Sequence, residues 1–408
     1  MSPDLPSTKT LITYICGDSG PLDDFNPFFV MRQRLVPELL YALNRHPLSL
    51  GEISSAMKID RTEASKLLLD LTRIKAVNEE SGVYSVTFSI FTSDDLLVLK
   101  HATSPIAVAL SNSIVDRKSE INSWIENLSS FEQVERGKLL FAALGCFVLD
   151  WLGLKILQEE GILVRSKLRP GNRSYLLFAR EQVDSSEFTK LYGKMYWGSN
   201  SDKIGDYVFT SFGDHTGLRY AFPDIVWTLR TTPRNEMPRW MSQKLSRLTE
   251  LIAGQWLKNA GHLLLRLNSQ GPVSARDLER DSEATGILDV LHLLDDMNYI
   301  TRNRGICKLD YPVFAARDKK VIEQLGHLVL PLVAEAIHRN YAKLEKALKN
   351  TSPIRNKVEL DEVLNEAWHW IFGQTNRVLA EKGFLYDPPR RRIGEARYIA
   401  WISEFGFP

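Results

Sequence analysis

Blocks of this sequence return in the same order 222–225 residues later, which restricts the fold to two large units of like design. Residues 38–44 (ELLYALN) recur as 262–268 (HLLLRLN), 157–163 (LQEEGIL) as 379–385 (LAEKGFL), and 171–175 as 394–398. Between these blocks, Leu48-Ser49 answers Val273-Ser274, Ile53 answers Leu278, Ala76-Val77 answers Tyr299-Ile300, Gly82 answers Gly305, and 88–91 (FSIF) answers 311–314 (YPVF). A solenoid array would repeat every ~20–50 residues. Here two copies of a large unit cover residues 30–180 and 255–402, and residues 183–252 have no counterpart.

Each copy opens on the same series of signals. Residues 36–43 carry apolar side chains at helical spacing. Ser49 and Glu52 form a capping box, a tight turn follows at 57–60, and Asp60 with Glu63 forms a second box. The helix after it turns Ala64, Leu67, Leu68, Leu71 and Ile74 to one face. Val77, a turn at 79–82 and an alternating run at 83–88 predict a hairpin. In the second copy Ser274 caps a helix through Leu278 and Glu279. Ser282 opens another with Ile287, Val290, Leu291 and Leu294 inward, and a hairpin turns at 303–305. Long helices follow, at 94–124 and 132–159 in one copy and at 318–348 and 358–381 in the other. Each copy closes with a glycine-bounded basic hairpin.

The stretch LSLGEISSAMKIDRTEASKLLLDLTRIKAVNEESGVYSVTF (48–88) resembles the winged helix-turn-helix transcription regulators of the ArsR and MarR kind, over some 55 residues in each copy. The fold expected is mainly α with small β-hairpins, as tandem winged-helix domains with helical extensions. Its parts are an N-terminal arm (1–29), winged helix 1 (30–92), helical region 1 with its basic hairpin (93–182), a mixed insert and connector (183–252), winged helix 2 (253–315), and helical region 2 with its basic hairpin (316–408). The resemblance implies double-stranded DNA as partner, read by the second helix of the motif in the major groove. Such regulators work as dimers, and a duplicated chain could form the pair internally. The same fold also serves as a protein-docking module.

Charge decides where such contacts could lie. Lys plus Arg number 51 and Asp plus Glu 50, a net charge of +1, so the chain lacks the general positive charge of a protein that coats nucleic acid. DNA contact must come from local patches. The candidates are Arg61, Thr62, Ser65 and Lys66 on the first recognition helix, Arg165, Lys167, Arg169 and Arg173 in the first basic hairpin, Arg302 and Arg304 in the second wing, and Arg390, Arg391 and Arg392 in the second basic hairpin. The helix at 281–297 holds Asp281, Glu283, Asp289, Asp295 and Asp296 without a Lys or Arg, which would repel phosphate and suits packing or a protein partner.

Other classes are weighed on particular residues. Asp214, His215, Arg219 and Asp224 stand close enough in sequence for acid–base work. No nucleophile elbow, phosphate loop, zinc-ligand pair or dinucleotide glycine pattern accompanies them, and the reading is not an enzyme. Phe141, Phe147 and Trp151, with Trp368, Trp370 and Phe372 around His369, could line an effector cavity or form plain core; no effector is identified and no cofactor or metal is expected. The three cysteines, Cys16, Cys146 and Cys307, are sparse and odd in number, which favours a reducing compartment. The apolar run 139–157 contains Asp150 and Lys155 and reads as a buried helix rather than a membrane span. The start of the chain lacks signal-peptide character, and the expected address is the cytoplasm.

Overall fold

The computed structural model describes residues 11–21, 23–231, 239–280 and 287–406. The described residues begin with strand β1 (Leu11–Asp18) and the short helix α1 (Pro27–Met31), started by the Asn26 side chain and by proline in its first turn. Next come α2 (Val36–Arg45), β2 (Leu48–Ser49), α3 (Leu50–Met57), α4 (Arg61–Arg73), the hairpin β3 (Val77–Glu80) and β4 (Val83–Val86), and β5 (Ser89–Phe91). Helices α5 (Ser93–Asp116), α6 (Lys118–Ile125) and α7 (Arg136–Leu140) follow. The last runs on as a π-helix (Phe141–Leu152) and ends as α8 (Gly153–Glu159). Then come β6 (Leu168–Arg169), β7 (Arg173–Glu181), α9 (Ser185–Leu191), β8 (Gly198–Ile204), β9 (Tyr207–Gly213), α10 (Phe222–Thr231) and α11 (Arg239–Gln270). The remainder is β10 (Val273–Ser274), α12 (Ala275–Arg280), α13 (Ile287–Asp296), β11 (Ile300–Asn303), β12 (Ile306–Leu309), β13 (Val313–Phe314), α14 (Lys319–Leu348), α15 (Ser352–Arg355), α16 (Leu360–Glu381) and β14 (Tyr398–Ser403).

The expectation of a mainly α, tandem winged-helix chain with helical extensions is overturned. The structure is 54% helix and 18% strand, with four small sheets among the described residues, and is mixed α/β. The added strand content comes from segments the sequence reads as closing hairpins and an insert. Strand β7 is buried along nearly its whole length. A strand covered on both faces shows a continuous apolar run instead of alternation, so its period is hidden. It pairs antiparallel with β1 from Leu11↔Glu181 to Asp18↔Ser174, and parallel with β5. In the other four-stranded sheet, β14 pairs antiparallel with β9 and parallel with β13, and β8 adds an edge to β9.

The two larger sheets are alike in one corner as well as in strand order. Gly17 sits opposite Tyr175, and Gly213 sits opposite Tyr398. A Cβ on Gly17 would lie 2.5 Å from the Ser174 carbonyl oxygen, and one on Gly213 would lie 2.1 Å from that of Arg397. Only glycine lets the strands approach this closely. Asp18 follows the first glycine and accepts the Gly20 amide at 2.8 Å; Asp214 follows the second and accepts the Thr216 amide at 3.1 Å. Each turn leads to a proline-started helix, α1 with Pro27 and α10 with Pro223. Residues 183–252, unmatched in sequence, therefore contain β9 and α10 in the places that β1 and α1 hold in the first half.

The two three-stranded sheets also correspond, in the orders β2-β4-β3 and β10-β12-β11. Both hairpins turn through two residues of positive φ: Ser81 at 52° and Gly82 at 81°, Arg304 at 49° and Gly305 at 81°. Such turns match the right-handed twist of the strands they join.

Two compact units divide the chain, and neither is continuous. Unit 1 comprises Met1–Thr103, Gln158–Gly193 and Asn340–Trp368; unit 2 comprises Ser104–Leu157, Lys194–Arg339 and His369–Pro408. Within unit 1, one core joins Leu39, Leu40 and Leu43 of α2, Ile53 of α3, and Leu67 and Leu71 of α4 to Tyr175 and Leu177 of β7. The late segment is tied in by hydrogen bonds from the Ser352 amide to Asp95 (3.0 Å) and from Asn356 to the Asn44 carbonyl (2.9 Å). Within unit 2, Asn376 of α16 donates to the carbonyls of Gly145 (3.1 Å) and Tyr196 (3.0 Å). Among the described residues, the segment Arg136–Glu159 is long and apolar enough to cross a membrane, and 83% of its apolar window is buried inside the structure, as in a core helix.

Candidate nucleic-acid interface

The helix that the sequence singles out is firmly held. At the start of α3, the Ser49 amide donates to Glu52 at 2.7 Å and the Glu52 amide donates back to the Ser49 hydroxyl at 3.4 Å, the reciprocal pair expected. Lys58 ends α3 in the left-handed region (φ 54°), and the Ser54 hydroxyl donates to the Ile59 carbonyl at 2.6 Å, closing the turn. Asp60 then caps α4 by accepting the Glu63 amide at 2.8 Å. Ala64, Leu67, Leu68 and Leu71 go into the core. Arg61, Thr62, Ser65 and Lys66 all stand exposed on the other side. Arg73, at the far end, is held by Asp70 at 3.1 Å. The neighbouring hairpin is acidic, with Glu79 and Glu80 exposed on β3.

In unit 2 the pattern is reversed. Ile287, Val290, Leu291 and Leu294 of α13 are buried, while Asp289 and Asp296 face outward. Asp281, Ser282 and Glu283 lie outside the described residues. The hairpin beside α13 is basic: Arg304 is exposed at its tip, and Arg302 lies 3.0 Å from Nδ1 of His292.

The two basic hairpins part company with the expectation. In the first, only Arg165 is plainly exposed. Lys167 is ion-paired with the buried carboxylate of Glu362. Arg169 is buried, donating to the Lys75 carbonyl at 2.7 Å with its guanidinium 5.3 Å from the centre of the Tyr175 ring. Arg173 is buried as well and is committed to the backbone. It donates to the carbonyls of Ser19 (2.7 Å), Pro21 (2.9 Å), Gly171 (3.2 Å) and Pro170 (3.3 Å), and to Asp23 at 2.5 Å. Arg169 and Arg173 are therefore internal struts and cannot reach a phosphate.

The second basic segment is a braced turn, not a hairpin, because β14 takes its antiparallel partner from β9. Arg390 is exposed and donates to the Thr216 hydroxyl at 2.7 Å. Arg392 is exposed with its guanidinium 5.8 Å from the centre of the Tyr220 ring, and Arg391, half-buried, lies 5.2 Å from that of Tyr311.

The acid–base candidates are occupied with structure. Asp214 accepts from the Thr216 hydroxyl (2.8 Å) and the Arg397 amide (3.0 Å), and Arg219 donates to the Asp214 carbonyl at 3.0 Å. His215 is exposed with its ring edge-on to Trp197, 5.1 Å between centroids. Asn200 donates to Asp224 at 3.2 Å, and burial pushes the Asp224 carboxyl up. The aromatic residues Phe141, Phe147, Trp151, Trp368, Trp370 and Phe372 are all buried; Phe147 and Trp151 pack edge-on at 4.9 Å. Among the described residues, no cluster of His, Cys, Asp and Glu could hold a metal.

One polar site had no signal in the sequence beyond an acid in an apolar run. Asp150 lies in the π-helix, almost wholly buried, and accepts from the Ser199 hydroxyl at 3.1 Å. Burial pushes its pKa up to about 6, against the pull of His369 and the Ser199 hydrogen bond. No family model, curated protein or solved structure matches this chain.

Proposed function

We propose that this chain is a DNA-binding transcriptional regulator that works in the cytoplasm and touches double-stranded DNA through the outer face of α4. The observation that carries this reading is the presentation of Arg61, Thr62, Ser65 and Lys66 together, all exposed, along the first turn and a half of a helix fixed by caps at its entry. Helix–turn–helix–hairpin segments that resemble winged-helix regulators use this face in the major groove. Internal duplication of an ancestral unit accounts for the matched sheets and lets one chain supply what two subunits otherwise supply. Of the other basic residues expected at DNA, Arg165, Arg304, Arg390 and Arg392 are exposed.

Fluorescence anisotropy on a pool of mixed-sequence duplexes at low salt tests this. Arg61→Ala and Lys66→Ala are each expected to weaken binding by about 1–3 kcal/mol where the side chain meets a base edge. Binding that is absent in the wild type, or unchanged in both variants, refutes the reading. A second reading, a protein-docking module without DNA, is favoured by the outer face of α13, where Leu288, Asp289 and Asp296 are all exposed. It predicts no duplex binding by the wild type and loss of partner capture on charge reversal at those two aspartates.

A further inference from the structure

The turn before β14 carries a side chain with no place in the fold. Ile393 is fully exposed (105%), at the tip of a turn whose flanks are Arg390, Arg391 and Arg392 on one side and Gly394 (φ 79°) on the other. Leu218, 65% exposed, lies beside it through the hydrogen bonds of the Leu218 amide to the Gly394 carbonyl and of the Ala396 amide to the Leu218 carbonyl, both 2.9 Å. The turn is stiff. Pro388 is buried and its carbonyl accepts from Arg397 at 3.2 Å; the Glu395 amide donates to the Arg392 carbonyl at 3.1 Å; Arg390 is pinned to Thr216. The acids nearby are engaged or withdrawn: Asp387 is paired with Lys194 at 3.0 Å and takes the Tyr196 hydroxyl, and Glu395 is buried.

We propose that this turn is a second DNA contact, in which Ile393 enters a groove as an apolar wedge between base pairs while Arg390 and Arg392 hold the flanking phosphates. The inference rests on the DNA-binding reading above and extends it to unit 2. A clamp on phosphates alone gives an isoleucine nothing to do, whereas proteins that kink duplexes frequently insert apolar wedges, isoleucine among them, between base steps. A rigid tip loses little freedom on docking. The charge around Ile393 selects a polyanion over an apolar partner. An anionic membrane, the other polyanionic surface, is bound by a broad apolar face with many aliphatic side chains at one depth; here one residue projects, with Leu218 behind it.

The test uses the full chain with three readouts: affinity for a mixed-sequence duplex, bending of that duplex by energy transfer between its labelled ends, and sedimentation with phosphatidylserine–phosphatidylcholine vesicles. Ile393→Ala is expected to leave the melting temperature unchanged, to weaken duplex binding about tenfold, and to abolish bending in the fraction that still binds. Arg390→Ala/Arg392→Ala should flatten the salt dependence of log Kobs by about 1.8, or 0.9 for each phosphate no longer neutralised. If the wild type binds duplex and Ile393→Ala binds and bends it equally, the wedge is refuted and the α4 reading stands. If the wild type binds no duplex, both fall. Vesicle binding by the wild type that Ile393→Ala removes, with duplex binding unaltered, overturns the proposal in favour of a membrane contact.

Discussion

Arg173→Ala is expected to destabilise unit 1 by about 2–3 kcal/mol, the range for losing hydrogen bonds from a buried charged group; Asp23, 45% exposed, is left to water. The guanidinium has no solvent exposure and directs its donors to four carbonyl oxygens and to Asp23. Removing it leaves a void and takes a donor from the carbonyls of Pro170 and Gly171, while those of Ser19 and Pro21 keep the Asn26 side-chain amide at 3.4 and 3.0 Å. Arg173→Lys restores only part of the loss, since an ammonium is a point charge and cannot span a fork of acceptors. Two glycines with positive φ make room for the group: a Cβ on Gly171 would lie 1.9 Å from its Nη1, and one on Gly20 would lie 2.8 Å from its Nε. Urea denaturation of the wild type and both variants checks this. A destabilisation under about 1 kcal/mol for Arg173→Ala, within the range of ordinary surface hydrogen bonds, would show that the arginine is not the strut described here.

At the other end of the charge scale, Asp150→Asn is expected to stabilise unit 2 at neutral pH. The Asp150 carboxyl, ordinarily with a pKa of 3.8, is pushed up to about 6 by burial, with His369 and the Ser199 hydroxyl opposing the shift. Between these two pH values the folded chain retains a proton that the unfolded chain has released. The folded state therefore binds more protons across the window, and its stability falls as pH rises through it. Above pH 6 the native state carries a buried carboxylate at a cost of about 3 kcal/mol, from a shift of about two units at 1.36 kcal/mol each. The asparagine variant carries no such charge and keeps an oxygen for Ser199 Oγ. Its advantage over the wild type should approach about 3 kcal/mol at about pH 7 to 8 and shrink toward zero near about pH 4. A difference independent of pH would mean that Asp150 does not titrate in this window.

These two residues also show where sequence reasoning stops. The caps of α3 and α4, the turn between them, and the outward set Arg61, Thr62, Ser65 and Lys66 were legible because each depends on neighbours within a few positions. Arg173 was not. Its glycine-bounded setting looks like a surface turn, and nothing local reports that Ser19, Pro21 and Asp23, over a hundred residues earlier, close around it. Asp150 presented only as an acid inside an apolar helix; the π-helical winding that surrounds it leaves no periodic trace in so apolar a run. The likeness of β9–α10 to β1–α1 was present as Gly-Asp followed by a helix-starting proline, at 17–27 and 213–223. Three shared residues in a short block are too few to stand out until the register Gly17↔Tyr175 and Gly213↔Tyr398 shows them in one role. The mixed α/β character was hidden for a related reason. Strands β7 and β14 are buried on both faces, and both find their long partners far away in sequence.

The claim on which the functional account depends is that α4 brings Arg61 and Lys66 to DNA. The direct measurement is the slope of log Kobs against log salt for one duplex, in the wild type and in Arg61→Ala/Lys66→Ala, whose fold should be unaffected because both side chains are exposed. The account predicts a clearly negative slope for the wild type. For the double variant it predicts a slope shallower by about 1.8 if both residues meet phosphates, about 0.9 for each, with weaker binding throughout. Identical slopes and affinities for the two proteins would contradict it.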